Sequence, residues 1–302
     1  MPVAEAAAVY MRDCESPSAH TNKARRGDLA LFSAYLEAIG VPTMREVTSA
    51  HLRSFVAERA AIESPVTASR RAYIVKSFCR WVRAQFPELR DPTFGLRLPK
   101  PKKLDPLGFE PEEIEAIKTA CSDPRDLAII EVFHRTGLRC HELVALDWRH
   151  LDMARWYLVN VQGKHFRYLD KFLHESARRA LLAYLPIRDE VLRQSGVSAL
   201  TEEMRGRYPL FVSTYQQVAG EPESYRLADK SVYGIVKRAG ERVGIDDAHP
   251  HRLRHTACYE FYKATNDIAL TQQFMGHQSA SVTMRYLKRS NKHIEAAIGG
   301  MV

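Results

Sequence analysis

Apolar residues recur at helical spacing through most of the first hundred residues. Side chains three or four positions apart lie on one face of an α-helix, so these stripes predict amphipathic helices around a shared core. Gly40 follows the first stripe as a typical helix end, and Pro65 precedes the third as a typical helix start. The stripes comprise Leu29, Phe32, Leu36 and Ile39, then Leu52, Phe55, Val56 and Ile62, then Val75, Phe78 and Val82.

The helical pattern stops at a proline-rich, basic stretch. Proline lacks a backbone donor and breaks helices and central strands, so residues 97–108 predict an extended linker. We therefore expect a helical domain over residues 1–96 and a second domain over residues 109–302.

The second half of the chain mixes helical stripes with one stretch of alternation. Residues 155–173 alternate apolar and polar positions on both sides of Gly163, which predicts a β-hairpin. The helix before it is broken at Gly137, residues 195–230 look irregular and predict an insertion, and helical patterns return from Lys230 onward. The predicted fold is mainly α, with a helical N-terminal domain and a mostly helical α/β domain that carries a small antiparallel sheet.

Composition narrows the class of protein. Of 302 residues, 45% are hydrophobic and 26% are charged, which is typical of a soluble globular protein. No apolar run approaches the roughly 20 residues of a membrane span, and the N-terminus does not resemble a secretory signal. The five cysteines are far apart and form no CxxC pair, so we expect neither disulfides nor a zinc ribbon. These features predict a reduced cytoplasmic protein, nucleoid-associated if bacterial, with no membrane partner.

The net charge of +8 and the pI of about 9.2 favour a nucleic acid partner, because Lys and Arg displace counterions from phosphates. Residues 1–100 hold 15 basic and 10 acidic residues, so most of the excess lies there. A charge run is usually only a solvated helix face, but the density of arginine here favours a phosphate-facing surface. The predicted DNA-binding residues are Arg70, Arg71, Lys76, Arg80 and Arg83 in the third helix, and Lys100, Lys102 and Lys103 in the linker.

The segment HPHRLRHTA carries the first candidate chemistry. A proline just inside a helix start would place His251 and Arg254 on one face, where an imidazole can move protons and a guanidinium can hold an oxyanion. A metal site of His249, His251 and His255 is an alternative, but Arg254 would put a fixed positive charge beside the cation. The other alternative is that these are simply helix-end histidines, and this segment alone does not exclude it.

Two further segments supply cations and a carboxylate. RTGLRCHEL places Arg139 directly after a glycine turn and three residues before Glu142. QGKHFRYL places Lys164 at the tip of the predicted hairpin, although Lys171 on the same hairpin is an alternative.

A last segment, GHQSASVTMRY, supplies His277 and then Tyr286. Gly276 can end one helix and Ser279 can cap the next, so Tyr286 would lie about two turns along, able to point back towards the Gly-His turn. Taken in order, the set resembles the tyrosine recombinase (phage integrase) family, whose signature is GLR-x-x-E, a hairpin lysine, H-x-x-R, a Gly-His or Gly-Trp pair, and a tyrosine. The matching residues are Arg139, Lys164, His251, Arg254, His277 and Tyr286; the resemblance covers roughly residues 107–290 and extends more loosely to the helical N-terminal domain.

The resemblance implies a site-specific DNA recombinase in which Tyr286 attacks a phosphodiester, forms a 3′-phosphotyrosyl link and releases a 5′-hydroxyl. Arg139 and Arg254 would clamp the non-bridging oxygens and offset the negative charge that builds there. Because the ester keeps the bond energy, rejoining needs no ATP. The sequence contains no P-loop and no convincing carboxylate cluster for two metals, so we expect no cofactor.

Proton transfer falls to the remaining groups. Only about one tyrosine in a thousand is ionised at neutral pH, so His251 would accept the proton of Tyr286. Lys164 would protonate the leaving 5′ oxygen, and His277 would hydrogen-bond the phosphate or a proton-transfer partner. Glu142 would orient one of these side chains.

Several assignments remain open within and beyond the family. The SVTMRYLKR context of the tyrosine and the long segment before His251 favour a mobile-element integrase over an Xer-type dimer resolvase, which is the alternative. A type IB topoisomerase and a DNA-binding protein without catalysis are the rivals outside it. As partners the resemblance implies a specific duplex site, a homotetramer on two duplexes, a C-terminal tail docked on a neighbour, and an accessory directionality factor.

Overall fold

The computed structural model describes residues 1–17, 19–96, 98, 108–163, 168–197, 201–215 and 217–286. The chain forms two compact units, Met1–Leu104 and Asp105–Val302, and the boundary falls within the range that the sequence predicts as a linker. Most linker residues lie outside the described residues, including Lys100, Lys102 and Lys103.

The first unit is helical. Its core is built from the predicted stripes: Leu29, Phe32, Leu52 and Phe55 are almost completely buried, and the rings of Phe32 and Phe55 meet edge to face at 5.1 Å. The helices are α1 (Val3–Asp13), α2 (Ala19–Ala38), α3 (Ser49–Ile62) and α4 (Pro65–Gln85).

Two predicted core residues of this unit are exposed. Ile39 is 45% exposed because α2 ends at Ala38 and the chain turns away through Gly40, whose φ is 72°. Ile62 is 66% exposed because it is the last residue of α3, beyond the helical packing. In the sequence, the apolar pattern therefore extends beyond the part of each helix that packs against its neighbours.

The second unit is mostly helical around a three-stranded antiparallel sheet of order β1-β2-β3. The predicted hairpin is confirmed: Tyr157 pairs with Phe172 and Gln162 with Tyr168, with an irregularity between Leu158 and Val161. The short β1 was not predicted. The elements are α5 (Pro111–Thr119), α6 (Pro124–Thr136), α7 (Cys140–Val144), β1 (Leu151–Asp152), β2 (Tyr157–Gln162), β3 (Tyr168–Phe172), α8 (Glu175–Gln194), α9 (Glu202–Arg207), α10 (Asp229–Glu241), α11 (Pro250–Thr265), α12 (Ile268–Met275) and α13 (Ala280–Tyr286), with 3-10 turns at Trp148–His150 and Pro222–Tyr225.

The segment 195–230, predicted to be irregular, contains α9 and a buried cluster of its own. Tyr208 and Tyr225 pack edge to face at 5.2 Å, and the fully buried Arg188 of α8 donates to the carbonyl of Pro209. The segment is therefore packed onto the domain rather than looped away from it.

The helices around the sheet form one apolar core. Fully buried members include Ile129 and Ile130 of α6, Leu158 of β2, Leu181 of α8 and Leu253 of α11. Within the described residues, no helix is long and apolar enough to cross a membrane.

Candidate active site

The turn after α6 places Arg139. Gly137 ends α6 in the left-handed conformation, with φ 60°, and Arg139 then becomes the N-cap of α7. A Cβ at residue 137 would stand 2.9 Å from the sulfur of Met275, so glycine is required by space as well as by φ. The chain turns sharply here and leaves the Arg139 side chain 26% exposed.

Glu142 holds Arg139 by two hydrogen bonds. Its Oε2 accepts from the backbone N–H of Arg139 at 2.7 Å, and its Oε1 accepts from Nη1 of the same residue at 2.7 Å. Burial alone would raise the pKa of Glu142, but these bonds and the charges of Arg139 and Arg254 outweigh it and lower the pKa. Glu142 is therefore a buried carboxylate that holds the backbone and the guanidinium of Arg139.

Arg254 joins two turns of the chain. From α11 its guanidinium donates to the carbonyl of Gly137 and, at 2.8 Å, to the carbonyl of Met275, and it is only 2% exposed. Its Nη1 also lies 4.0 Å from Glu142 Oε2. One arginine thus fixes the turn before Arg139 and the turn before His277 relative to each other.

The second turn carries His277. Gly276 caps α12 with φ 62°, and a Cβ there would approach Leu169 of β3 to 2.6 Å. The imidazole Nδ1 lies 2.9 Å from the hydroxyl of Thr283 on α13. Because His277 is 4% exposed, burial lowers its pKa, and the cations Arg254, Arg139 and Lys171 lower it further, to about 3. The ring is neutral at physiological pH.

Tyr286 is the last residue of α13. The His277–Thr283 hydrogen bond ties this helix to the Gly-His turn, and Val282 of the same helix lines the cavity beside His277. The backbone of the predicted nucleophile is thus placed by the element that packs on this cavity, while its side chain lies outside what the structure describes.

The three histidines around the start of α11 lie in different surroundings: His255 is buried, His249 is half-buried and His251 is exposed. His249 is the N-cap and accepts from the N–H of Arg252 at 3.3 Å, with its ring parallel to that of Tyr233. His251 is exposed; desolvation by its neighbours, then Arg254 and Arg139, lower its pKa, so the neutral base dominates near pH 7. Among the described residues, no group of three or more His, Cys, Asp and Glu side chains could hold a metal ion.

A cavity of about 610 Å³ lies where these turns meet. Its wall includes Arg139, His277 and Gly163, the residue that precedes Lys164 in the sequence. Lys164 itself lies outside the described residues. Lys171, the alternative lysine, is buried and lines a different groove, whose wall includes residues of β3, α11 and α12.

Two of the arginines predicted to face DNA are held within the first unit. Arg70 and Arg71 both form ion pairs with the buried Asp28 of α2, and Arg71 also pairs with Glu63. The local sequence does not show this pairing, because Asp28 precedes Arg70 by 42 residues. Salt bridges do not prevent a guanidinium from contacting phosphate, but they give both residues a structural role.

The other three residues differ among themselves. Lys76 donates to the carbonyl of Leu96 at 3.0 Å, and Arg83 donates to the carbonyl of Pro87. Arg80 is exposed on α4. It is the strongest remaining candidate of this group for contact with DNA.

Sequence reasoning missed Thr283 and the position of Lys171. Threonine at the start of a short helix carries no chemical signature, and its bond to His277 depends on how α13 folds back. A lysine in a strand is expected to be exposed to solvent. The burial of Lys171 follows from the packing of α12 against β3, which the sequence does not show.

Comparison with known proteins gives a consistent result. The family model "Phage integrase family" matches residues 109–293, and the model "Phage integrase, N-terminal SAM-like domain" matches residues 10–85. Tyrosine recombinase XerC of Xanthomonas campestris pv. campestris (strain B100) is 31% identical over 282 residues, which cover 92% of this chain and 81% of the relative. Tyrosine recombinase XerC of Pseudomonas aeruginosa (strain PAO1) is 27% identical, with 94% and 89% covered.

Solved structures share the fold. A lambda integrase tetramer bound to a Holliday junction superposes with a TM-score of 0.73 at 14% identity, covering 95% of this chain and 78% of that one. Identity this low supports the architecture and leaves the individual residues to be argued from their own geometry.

Proposed function

We propose that Tyr286 is the nucleophile of this chain, which belongs to the phage integrase family and is a tyrosine recombinase, an enzyme that breaks and rejoins DNA strands. The other members of the proposed active site are Arg139, Arg254, His251, His277 and Lys164. The observation that carries this assignment is the bridge formed by Arg254. It brings the turns of Arg139 and His277 to one cavity, whose wall also includes the residue before Lys164.

The chemistry follows from the charges around this cavity. Arg139 and Arg254 offset the charge on the phosphate as the phenolate oxygen of Tyr286 bonds to phosphorus and the bond to the 5′ oxygen breaks. His251 takes the phenol proton, which its lowered pKa permits because the ring is neutral at pH 7. Lys164 gives a proton to the leaving oxygen, and attack by a 5′-hydroxyl reverses every step.

We propose that the substrate is duplex DNA with a specific recombination site. The enzyme would exchange strands at this site in the manner of the Xer-type relatives. The sequence motifs favour a mobile-element integrase, whereas the named relatives fit the Xer alternative somewhat better. The integrase remains the second candidate, since SVTMRYLKR lacks the threonine-rich run and the Tyr-Thr-His context of the Xer type.

Covalent capture tests the enzyme assignment. Wild type and Tyr286→Phe would be incubated with nicked duplexes drawn from the flanks of the gene, denatured in detergent, and any attached DNA sequenced. We expect attachment by wild type and by the control Tyr215→Phe, an exposed tyrosine that does not line the cavity, and none by Tyr286→Phe. Arg139→Ala and Arg254→Ala should abolish attachment while gel retardation persists.

The opposite outcomes are equally informative. Retardation without attachment by wild type would favour the DNA-binding protein without catalysis. Loss of retardation together with attachment in the arginine variants would show that these residues bind rather than catalyse. The sequence of captured DNA separates the two candidates, because an integrase should select the ends of an element and an Xer-type enzyme a chromosomal or plasmid site.

We further propose that this protein acts as a homotetramer in which the 290–302 segment of one copy docks on the next. A groove of about 850 Å³ between β3, α11 and α12 is its candidate receptor. Three of its lining side chains are unusually exposed, with Tyr168 at 63%, Phe172 at 53% and Leu270 at 43%. Clustered exposed apolar groups mark association surfaces, and the 290–302 segment offers Ile294 and Ile298 as complementary groups.

A further inference from the structure

Lys171 occupies a position where a lysine is costly. On β3 its neighbours Asp170 and Phe172 are exposed, while Lys171 is 4% exposed and pairs with the fully buried Leu158 of β2. An apolar side chain would fill this position without the cost of removing an ammonium from water. The lysine must therefore be explained by what its Nζ contacts.

The Nζ contacts the last turn of α12. It donates to the backbone carbonyl of Phe274 and lies 4.7 Å from the centre of the Phe274 ring, which stacks on Phe261 at 4.2 Å. Burial, then the nearby charge of Arg254, lower the pKa of Lys171 to about 7, although Glu142 opposes this shift. The hydrogen bond to the Phe274 carbonyl and the contact with the Phe274 ring therefore fix the position of the Lys171 side chain.

The carbonyls at a helix C-terminus lack partners within the helix, and cations are favoured beside them. At the end of α12 two buried cations from different elements take consecutive carbonyls: Lys171 of β3 binds that of Phe274, and Arg254 of α11 binds that of Met275. Gly276 and His277 follow immediately. The position of the imidazole is therefore set by how these two side chains hold the helix end.

We infer that Lys171 is a positioning residue for DNA cleavage: by holding the carbonyl of Phe274 it fixes the Gly276–His277 turn against β3. This inference rests on the proposed role of His277. It assigns Lys171 no direct contact with the phosphate, because Lys171 does not line the cavity of Arg139, Gly163 and His277 and its Nζ is bound to the carbonyl of Phe274.

The test compares three variants in the full-length protein. Lys171→Met keeps the length and loses the donor, Lys171→Arg restores a donor, and Leu158→Ala weakens the packing of the same strand pair but keeps the donor to the Phe274 carbonyl. The rate of covalent-complex formation on a nicked duplex would be measured at saturating DNA, with the dissociation constant measured separately.

We expect Lys171→Met to lower the saturated rate roughly 10- to 100-fold, since small displacements of a reacting group cost this much, with the dissociation constant changed less than about twofold. Lys171→Arg should recover most of the rate, and Leu158→Ala should lower it far less than Lys171→Met. A Lys171→Met rate within about twofold of wild type, or an equal loss in Leu158→Ala, would overturn the inference.

A second measurement does not depend on cleavage and so separates failure of this inference from failure of the proposed function. The imidazole resonances of His277, assigned from their loss in His277→Asn, should shift in Lys171→Met and stay near their wild-type positions in Leu158→Ala. Its pKa should rise, because Lys171 is one of the cations that lower it. Unchanged His277 resonances in Lys171→Met would contradict the inference even if wild type cleaves no DNA.

Discussion

At the scale of single residues, Arg254 is the most constrained group in the site. It is 2% exposed, two of its N–H groups are used on backbone carbonyls, and Glu142 lies 4.0 Å away. Guanidinium has five donors in a rigid fork, so it can bind both turns and still present N–H groups to an anion. Lysine has no such fork, and we regard Arg254 as both a structural bridge and a phosphate ligand.

The lowered pKa of His277 predicts how the free energy of unfolding depends on pH. Its ordinary pKa of 6.5 is lowered to about 3 in the folded protein, so the unfolded chain binds a proton more readily between these values. Its contribution to stability is complete above about pH 6.5 and is lost as pH falls towards 3. We expect the free energy of unfolding to fall by about 2 kcal/mol more in wild type than in His277→Asn between pH 7 and pH 5.

Urea unfolding at the two pH values measures this difference. Burial also lowers the pKa of His255, to about 4. His255 therefore lowers the free energy of unfolding as pH falls, but it does so in both proteins. Equal losses in wild type and His277→Asn would show that the imidazole of His277 is not held in its neutral form by the fold.

At the scale of elements, the site is made by turns rather than by helices. Gly137 and Gly276 each end a helix in the left-handed conformation, and each lies against a neighbour that leaves no room for a side chain. The turns face each other because Met275 packs on Gly137 and Leu169 packs on Gly276. The two helix ends deliver Arg139 and His277 to one cavity.

Comparing Gly276→Ala with Gly244→Ala should distinguish the effect of a steric clash from the effect of backbone strain. Gly244 also has a left-handed φ, 76°, but has open space around it, whereas a Cβ at Gly276 would lie 2.6 Å from Leu169. We expect Gly244→Ala to cost about 1–2 kcal/mol of unfolding free energy with cleavage retained. Gly276→Ala should cost about 1–3 kcal/mol more and reduce covalent capture strongly, because the His277 turn must move.

Chemical denaturation and the capture assay give the two readouts. Leu169→Ala combined with Gly276→Ala should recover part of the added cost, since it removes the obstructing methyl group. If Gly276→Ala behaves like Gly244→Ala in both assays, the contact with β3 does not position the turn.

At the scale of the whole molecule, assembly should depend on the 290–302 segment. Ile294→Asp with Ile298→Asp should leave binding to a single site within about twofold and lower the fraction of higher-order protein–DNA complexes, because charge is costly in an apolar groove. Phe172→Asp, on the groove wall, should act in the same way. Tyr215→Asp, an exposed aromatic outside the groove, is the matched control.

Sedimentation of DNA complexes measures the assembly state directly. Higher-order complexes that survive both the isoleucine changes and Phe172→Asp would rule out this groove as the receptor. Loss of assembly in Tyr215→Asp as well would indicate a general effect of surface charge.

Much of this protein could be predicted from its sequence, because helices, hairpins and helix ends depend on residues that are close together in the chain. Helical stripes located α2, α3 and α4, alternation located β2 and β3, and glycine with proline marked the ends of α6 and α12 and the start of α11. The order of Arg139, Lys164, His251, Arg254, His277 and Tyr286 was enough to identify the family.

Contacts between side chains from different elements could not be predicted in this way. Ile39 and Ile62 follow the stripes but extend beyond the packing, and Arg70 and Arg71 find Asp28 across about forty residues. The same is true of Thr283 on His277 and of Lys171 on the carbonyl of Phe274. Each of these contacts joins elements distant in sequence or folded back on each other, and burial, which sets their charge and strength, is a property of the packed molecule alone.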